Sequence, residues 1–249
     1  YSQPQAMWSV KYGAFVFSWK YGSTTGAIKI RKFLSDGRSA GGETDSVPTT
    51  MADNSAYEQQ SGTVAASRDL FGVAYLSRSY RYPYLTVLDA KGNLVGGTFA
   101  LQQTLAAANW VTAAGTNAGF VTFYDQAGVG ASFVPVAADG SVAAATRADA
   151  GTSIQGFHFS GTKTATTGRA LNDDVGGAGG VGLALLYDDG VAFAYVNADG
   201  VTHMGPSSVI AHARDAGDLI NISNFDGSFA VSLWSAKEQM VRVAASGAP

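Results

Sequence analysis

The chain contains no cysteine. Disulfides, zinc–thiolate centres and a cysteine nucleophile are therefore excluded. Charge is scarce too, with Asp, Glu, Lys and Arg making up 14% of residues against about 25% in an average soluble domain. The net charge is only −3 and no long basic stripe exists, so nucleic acid is not an expected partner. No run of about 18 apolar residues occurs, which excludes a helical membrane span.

What the chain does have is glycine, 31 residues of 249, and 46% apolar residues. That much apolar surface can form a core and argues against disorder. The length suits one closed β architecture. Low charge and a Gly/Ala/Thr/Ser bias lead us to expect an exported or cell-surface protein of bacterial type. The start at Tyr1 fits a mature form trimmed of a signal peptide, or an excised domain.

One strand pattern recurs five times. Its copies are GAFVFSW from Gly13, GVAYLS from Gly72, GFVTFYD from Gly119, GLALLYDD from Gly182 and GSFAVSLW from Gly227. Most copies are followed by a second β-type run and a tight Asp/Gly turn, as in FLSDG, VLDAKGN, VAADG and VNADG. The anchor glycines are 59, 47, 63 and 45 residues apart, a period that marks a repeat architecture. In the third unit four strands can be lettered: A at 109–115, B at 119–125, C from Ala131 and D from Ser141. Four strands per repeat describe a propeller blade.

The expected fold is therefore an all-β, single-domain β-propeller over residues 1–249, with five blades of mostly four antiparallel strands. The blades fall near 6–50, 60–100, 108–150, 152–206 and 216–249. The longer periods imply loop insertions at 41–60 and 161–180. Short helices are expected at 100–108 and 207–217, the second capped by Ser207 or Ser208. The fifth unit shows strands A to C and no clear D. Residues 1–5 are expected to close the ring, or the open last blade meets a partner chain or a second copy. The alternative is six or seven blades, completed by missing or partner strands. In size and unit count the chain is similar to five-bladed lectin propellers, although its blades are not near-identical and it carries no transferable lectin motif.

Most B strands end in an aromatic or acidic residue: Trp19, Tyr124 with Asp125, Tyr187 with Asp188 and Asp189, and Trp234. The second unit has Ser77, Arg78, Tyr80, Arg81, Tyr82 and Tyr84 in this region. In a propeller the B–C turns share one face with the D–A connections. Aromatic rings there stack on sugars, and carboxylates and arginine bond hydroxyls. The same residue types also make protein hot spots. The plainer reading packs these aromatics between neighbouring blades.

The expected ligand-binding set is Trp19, Tyr80, Arg81, Tyr82, Tyr84, Tyr124, Asp125, Tyr187, Asp188 and Trp234. Other chemistries find less. Gly177 to Gly182 spell GxGxxG, but a polar loop precedes and a strand follows, so no dinucleotide site is expected. His158, His203 and His212 show no metal-ligand spacing, and His203 and His212 are expected to flank a single D–A connection. The aspartates of the Asp/Gly turns are read as turn residues. No metal or cofactor is expected. GxSxG is absent and no nucleophilic triad is legible.

The sequence thus points to a secreted or surface-displayed propeller that binds a carbohydrate or a protein, more readily a binding protein than an enzyme. One alternative is a propeller glycoside hydrolase using channel carboxylates, drawn from Asp125, Asp188, Asp189, Asp45 and Glu43. Another is a structural subunit of an extracellular assembly.

Overall fold

Alternating apolar residues with period two favour strands, and every regular element described is a strand. The structure is a computed structural model describing residues 5–9, 14–21, 27–39, 44–45, 59–67, 70–77, 80–89, 94–101, 107–126, 129–138, 157–159, 163–172, 179–198, 202–225 and 228–244. The first sheet holds β1 (Gln5–Ser9), β2 (Ala14–Tyr21), β3 (Ala27–Leu34) and β4 (Thr44–Asp45). The second holds β5 (Gln59–Ser67), β6 (Leu70–Ser77), β7 (Pro83–Leu88) and β8 (Leu94–Ala100). β9 (Ala108–Thr116), β10 (Gly119–Gln126), β11 (Gly130–Ala137) and β12 (Phe157–His158) form the third. The fourth comprises β13 (Thr167–Asn172), β14 (Val181–Tyr187), β15 (Gly190–Val196) and β16 (His203–Ala211). The fifth has three strands, β17 (Leu219–Phe225), β18 (Ser228–Trp234) and β19 (Gln239–Ala244).

Each sheet is an antiparallel meander in chain order, the form of a propeller blade. The first strands of successive sheets pack on one another, β5 on β9, β9 on β13 and β13 on β17. This places the A strands innermost.

Strand alternation sends side chains to two neighbours. In β10, Phe120 and Tyr124 join Leu76, Leu85 and Val87 of the second blade. Val121 and Phe123 join Leu183 and Leu185 of the fourth. A third layer joins Leu186, Phe193 and Ile210 to Ile220, Phe229, Val231 and Val243 of the fifth. The cores thus lie between blades. Among the described residues no such layer forms on the far side of the fifth blade, and Leu219, Trp234 and Met240 stand exposed.

Two of the repeating glycines, Gly72 and Gly182, have a packing reason. A Cβ on Gly72 would stand 2.8 Å from the Phe120 ring, and one on Gly182 would stand 2.8 Å from Phe229. In each case the B strand of one blade leaves room for the phenylalanine that opens the B strand of the next. Gly13 and Gly227 lie outside the described residues.

Several expectations need correction. The run 207–217 is not a helix, because β16 continues to Ala211 and pairs with β15. Its β-branched Val209 and Ile210 outweigh the weak helical pattern. Ala100 ends β8 and Ala108 begins β9, so neither belongs to a helix; residues 102–106 lie outside the described set. The insertion expected at 161–180 contains β13, the inner strand of the fourth blade. The strand at His158, read as opening the fourth blade, is the last strand of the third, pairing Ser132 with His158. The D strand expected from Ser141 lies outside the described residues. Gln5 belongs to β1 of the first sheet, opposite Ser18, and does not supply a fourth strand to the fifth. Ser35, Asp36 and Gly37 do form a turn, with Gly37 at φ 82° and its N–H donating to the Leu34 carbonyl at 2.9 Å. The turns at Gly140 and Gly200 lie outside the described residues.

Candidate ligand-binding face

Strand register decides which loops share a face. In the fourth blade Thr167 pairs with Leu186, Tyr187 with Gly190, and Gly190 with Ala211. The start of β13, the β14–β15 turn and the end of β16 therefore meet at one end of the sheet. The second and third blades agree, with Leu76 opposite Pro83 and Gln126 opposite both Ala108 and Gly130. B–C turns and D–A connections form a common face, as the sequence led us to expect.

On the second blade the β6–β7 turn presents Tyr80, 53% exposed. Its ring stacks on Tyr82, with centroids 5.2 Å apart and planes 15° from parallel. The turn is closed by bonds between Ser77 and its neighbours. The Ser77 N–H donates to the Tyr82 carbonyl (2.9 Å), the Arg81 N–H to the Ser77 carbonyl (2.9 Å), and the Tyr82 N–H to Ser77 Oγ (3.1 Å).

Arg81 does something different. Its backbone is left-handed, φ 57°, a conformation uncommon outside glycine. Its Nε donates to the Ala108 carbonyl (3.0 Å) and Nη2 to the Asn109 carbonyl (2.5 Å). The Ala108 N–H returns a bond to the Arg81 carbonyl at 2.9 Å. Arg81 thus ties the second blade to the first strand of the third.

Tyr84 is fully buried and stacks on Tyr75 at 5.7 Å. Tyr124 is buried against the second blade, and burial pushes its phenol pKa up. Neither ring offers a face to a ligand, because both are buried. Trp234 is 60% exposed and pairs across the strands with Leu219, so it does not pack between described blades. Trp19 lies in β2 opposite Lys29; its side chain is outside the described set.

The remaining candidates gather where the third and fourth blades meet. Asp125 is fully buried and accepts a bond from Asn109 Nδ2 on Oδ2, 3.0 Å. Burial raises its pKa to about 6, against the opposing effects of the Asn109 bond and the Ala165 amide. Tyr187 is buried beside it and is pushed up to about 12, first by burial and then by the charges of Asp125 and Asp189.

In front of Tyr187 the surface is charged. Lys163 pairs with Asp189 and stands 5.1 Å from the Tyr187 ring centre. The hydrogen bond from Lys163 is the main reason the Asp189 carboxyl titrates below its ordinary range. Asp188 pairs with Arg214 Nη1 at 3.2 Å. Lys163, Tyr187, Asp189, Pro206 and Ser208 line an open cleft of about 220 Å³.

Sequence reasoning missed Lys163 and Arg214, since one fell in an expected loop and the other in an expected helix. The His203 expectation also changes. His203 and His212 sit at opposite ends of β16, and His203 meets Phe133 and Phe159 edge-on at 5.1 and 5.5 Å. Of the carboxylates considered for hydrolysis, Asp45 pairs with Lys29 through the β3–β4 backbone, and Glu43 lies outside the described residues.

No family model and no curated protein matches the sequence. Solved structures do match in shape. A triple mutant of AofleA from Arthrobotrys oligospora aligns with TM-score 0.60 and 10% identity, over 97% of this chain and 67% of that one. The SapL1 lectin in complex with alpha methyl fucoside aligns with TM-score 0.59 and 11% identity, over 99% of this chain and 78% of that one. The Dos1 propeller aligns with TM-score 0.58 and 10% identity, over 97% of this chain and 58% of that one. At such identities the likeness speaks for the fold alone, and the fold of this chain is that of a β-propeller.

Proposed function

We propose that the chain is a binding propeller that takes a carbohydrate on the face formed by its B–C turns and D–A connections. The observation that carries this reading is the exposed Tyr80 ring, backed by Tyr82 in a turn with three closing hydrogen bonds. A rigid aromatic platform of this kind gives the apolar face of a sugar something to stack on at little entropic cost. The cleft beside Lys163, Tyr187 and Asp189 adds charged groups for hydroxyls on the same face. The SapL1 lectin with its methyl fucoside is in keeping with this use of the fold. An exported or surface-displayed setting fits the low charge, and cell fractionation tests it.

Hydrolysis finds less support. Asp125 has the raised pKa of a general acid, but it is fully buried. Asp188 and Asp189 are held in ion pairs. A glycan-array screen of the purified chain beside Tyr80→Ala tests the proposal. Saturable binding to one sugar class, lost in the variant, is expected. Binding that survives in Tyr80→Ala removes the platform from the reading, and an array without any binding sinks it.

One observation favours a second reading, assembly through the fifth blade. Leu219, Trp234 and Met240 are exposed together on one of its sides. Light scattering tests this: a multimer that Trp234→Asp dissociates supports it, and a monomeric mass rejects it.

A further inference from the structure

After β16 ends at Ala211 the chain turns through residues 212–218 before β17 begins. This connection carries His212, Asp215 and Asp218, whose ligand atoms lie within 4.8 Å of one another. The connection is held in place from outside. The His212 N–H donates to the Asp189 carbonyl (3.2 Å) and the Arg214 N–H to the Asp188 carbonyl (3.0 Å). It is also closed from inside, by the Asp215 N–H donating to Asp218 Oδ2 at 2.8 Å.

Two buried polar atoms in this turn make no hydrogen bond. The Asp218 side chain is 1% exposed, and its Oδ1 has no hydrogen-bond donor. His212 Nε2 is also buried, and it too has no hydrogen-bond partner. It stands 3.1 Å from Asp218 Oδ2, an ion pair when the imidazole is protonated. A buried carboxylate oxygen without a donor is costly. The cation on this turn, Arg214, extends instead to Asp188.

A nitrogen and a carboxylate oxygen 3.1 Å apart also suit two ligands of one ion. With metal–ligand bonds of about 2.0–2.2 Å, two ligands of one ion stand roughly 3.0–3.5 Å apart. We infer that His212, Asp215 and Asp218 form a three-ligand site for a divalent cation of the zinc class. Calcium and magnesium favour all-oxygen shells, whereas imidazole with carboxylates suits zinc. Asp215 is exposed, and its carboxylate already lies within 4.8 Å of the other two ligand atoms. Three protein ligands leave a fourth position open, on the same face as the cleft. This inference does not rest on carbohydrate binding.

The test uses the untagged full chain, stripped with EDTA and titrated with zinc chloride by calorimetry. One equivalent is expected, with affinity falling at least about tenfold in His212→Ala and in Asp215→Asn. Zinc should also raise the unfolding temperature of the parent chain and not that of His212→Ala. Asp218→Asn should behave likewise; if it does not fold, the two more accessible variants decide. No zinc binding, binding unchanged in both variants, or binding of calcium in place of zinc overturns the assignment.

Discussion

The Phe120 ring occupies the space a side chain at Gly72 would need, 2.8 Å from its Cβ position, and Phe229 stands at the same distance from Gly182. The glycines of the second and fourth B strands are thus sockets for the next blade. Replacing either overfills an interblade layer, which costs about 1–3 kcal/mol. Gly72→Ala and Gly182→Ala should each lower the urea midpoint, and Phe120→Leu should recover part of the loss in Gly72→Ala. Midpoints unchanged by either alanine would mean that the blades do not pack this way.

One aromatic run holds two opposite roles. Tyr84 is fully buried on Tyr75, and Tyr80 is exposed. Tyr84→Ala should cost about 3–5 kcal/mol, as large buried aromatics do. Tyr80→Ala should stay within about 0.5 kcal/mol of the parent while removing ligand binding. Equal stability losses in denaturant melts would contradict the assignment.

The blade was legible in the sequence because it is a local object. Gly119, the alternation from Phe120 to Asp125 and the run from Ala131 are all read within one short stretch, and they form β10 and β11. Which strand joins which sheet is not local. β12 and β13 sit on either side of Ala165, and only pairing to Ser132 and to Leu186 assigns them to different blades. The candidate face was legible as a set of loop ends but not by residue. Tyr80 and Tyr84 differ by their place relative to the end of a strand. Lys163, Arg214 and Asp218 matter only because folding brings two separate connections, β12–β13 and β16–β17, to the β14–β15 turn.

Arg81 joins a left-handed backbone to a side chain bonded across the blade junction. Hydrogen bonds from a charged donor are worth about 1.5–3 kcal/mol, so Arg81→Ala should destabilise by roughly that amount. Arg81→Lys should recover little, since lysine lacks the planar fork. Arg81→Gly should be milder than Arg81→Ala, because glycine adopts φ 57° without strain. Thermal melts of the three variants give the order, and an alanine variant more stable than the glycine variant would falsify the backbone argument.

Asp125 gives the fold a pH dependence of unusual sign. Burial lifts its pKa from 3.8 to about 6, so between these values the folded chain holds a proton that the unfolded chain has released. Stability from this group therefore falls as pH rises through that window, by up to about 1.4 kcal/mol per pH unit. Above the window the charged carboxylate remains a fixed penalty, reduced by the Asn109 bond. Asp125→Asn keeps the shape and an acceptor for Asn109 but cannot ionise. Denaturant unfolding of both proteins between about pH 4 and pH 7 should show the variant gaining on the parent up to about pH 6 and a constant difference beyond it. A difference independent of pH would mean that Asp125 is solvated or already charged in the folded chain.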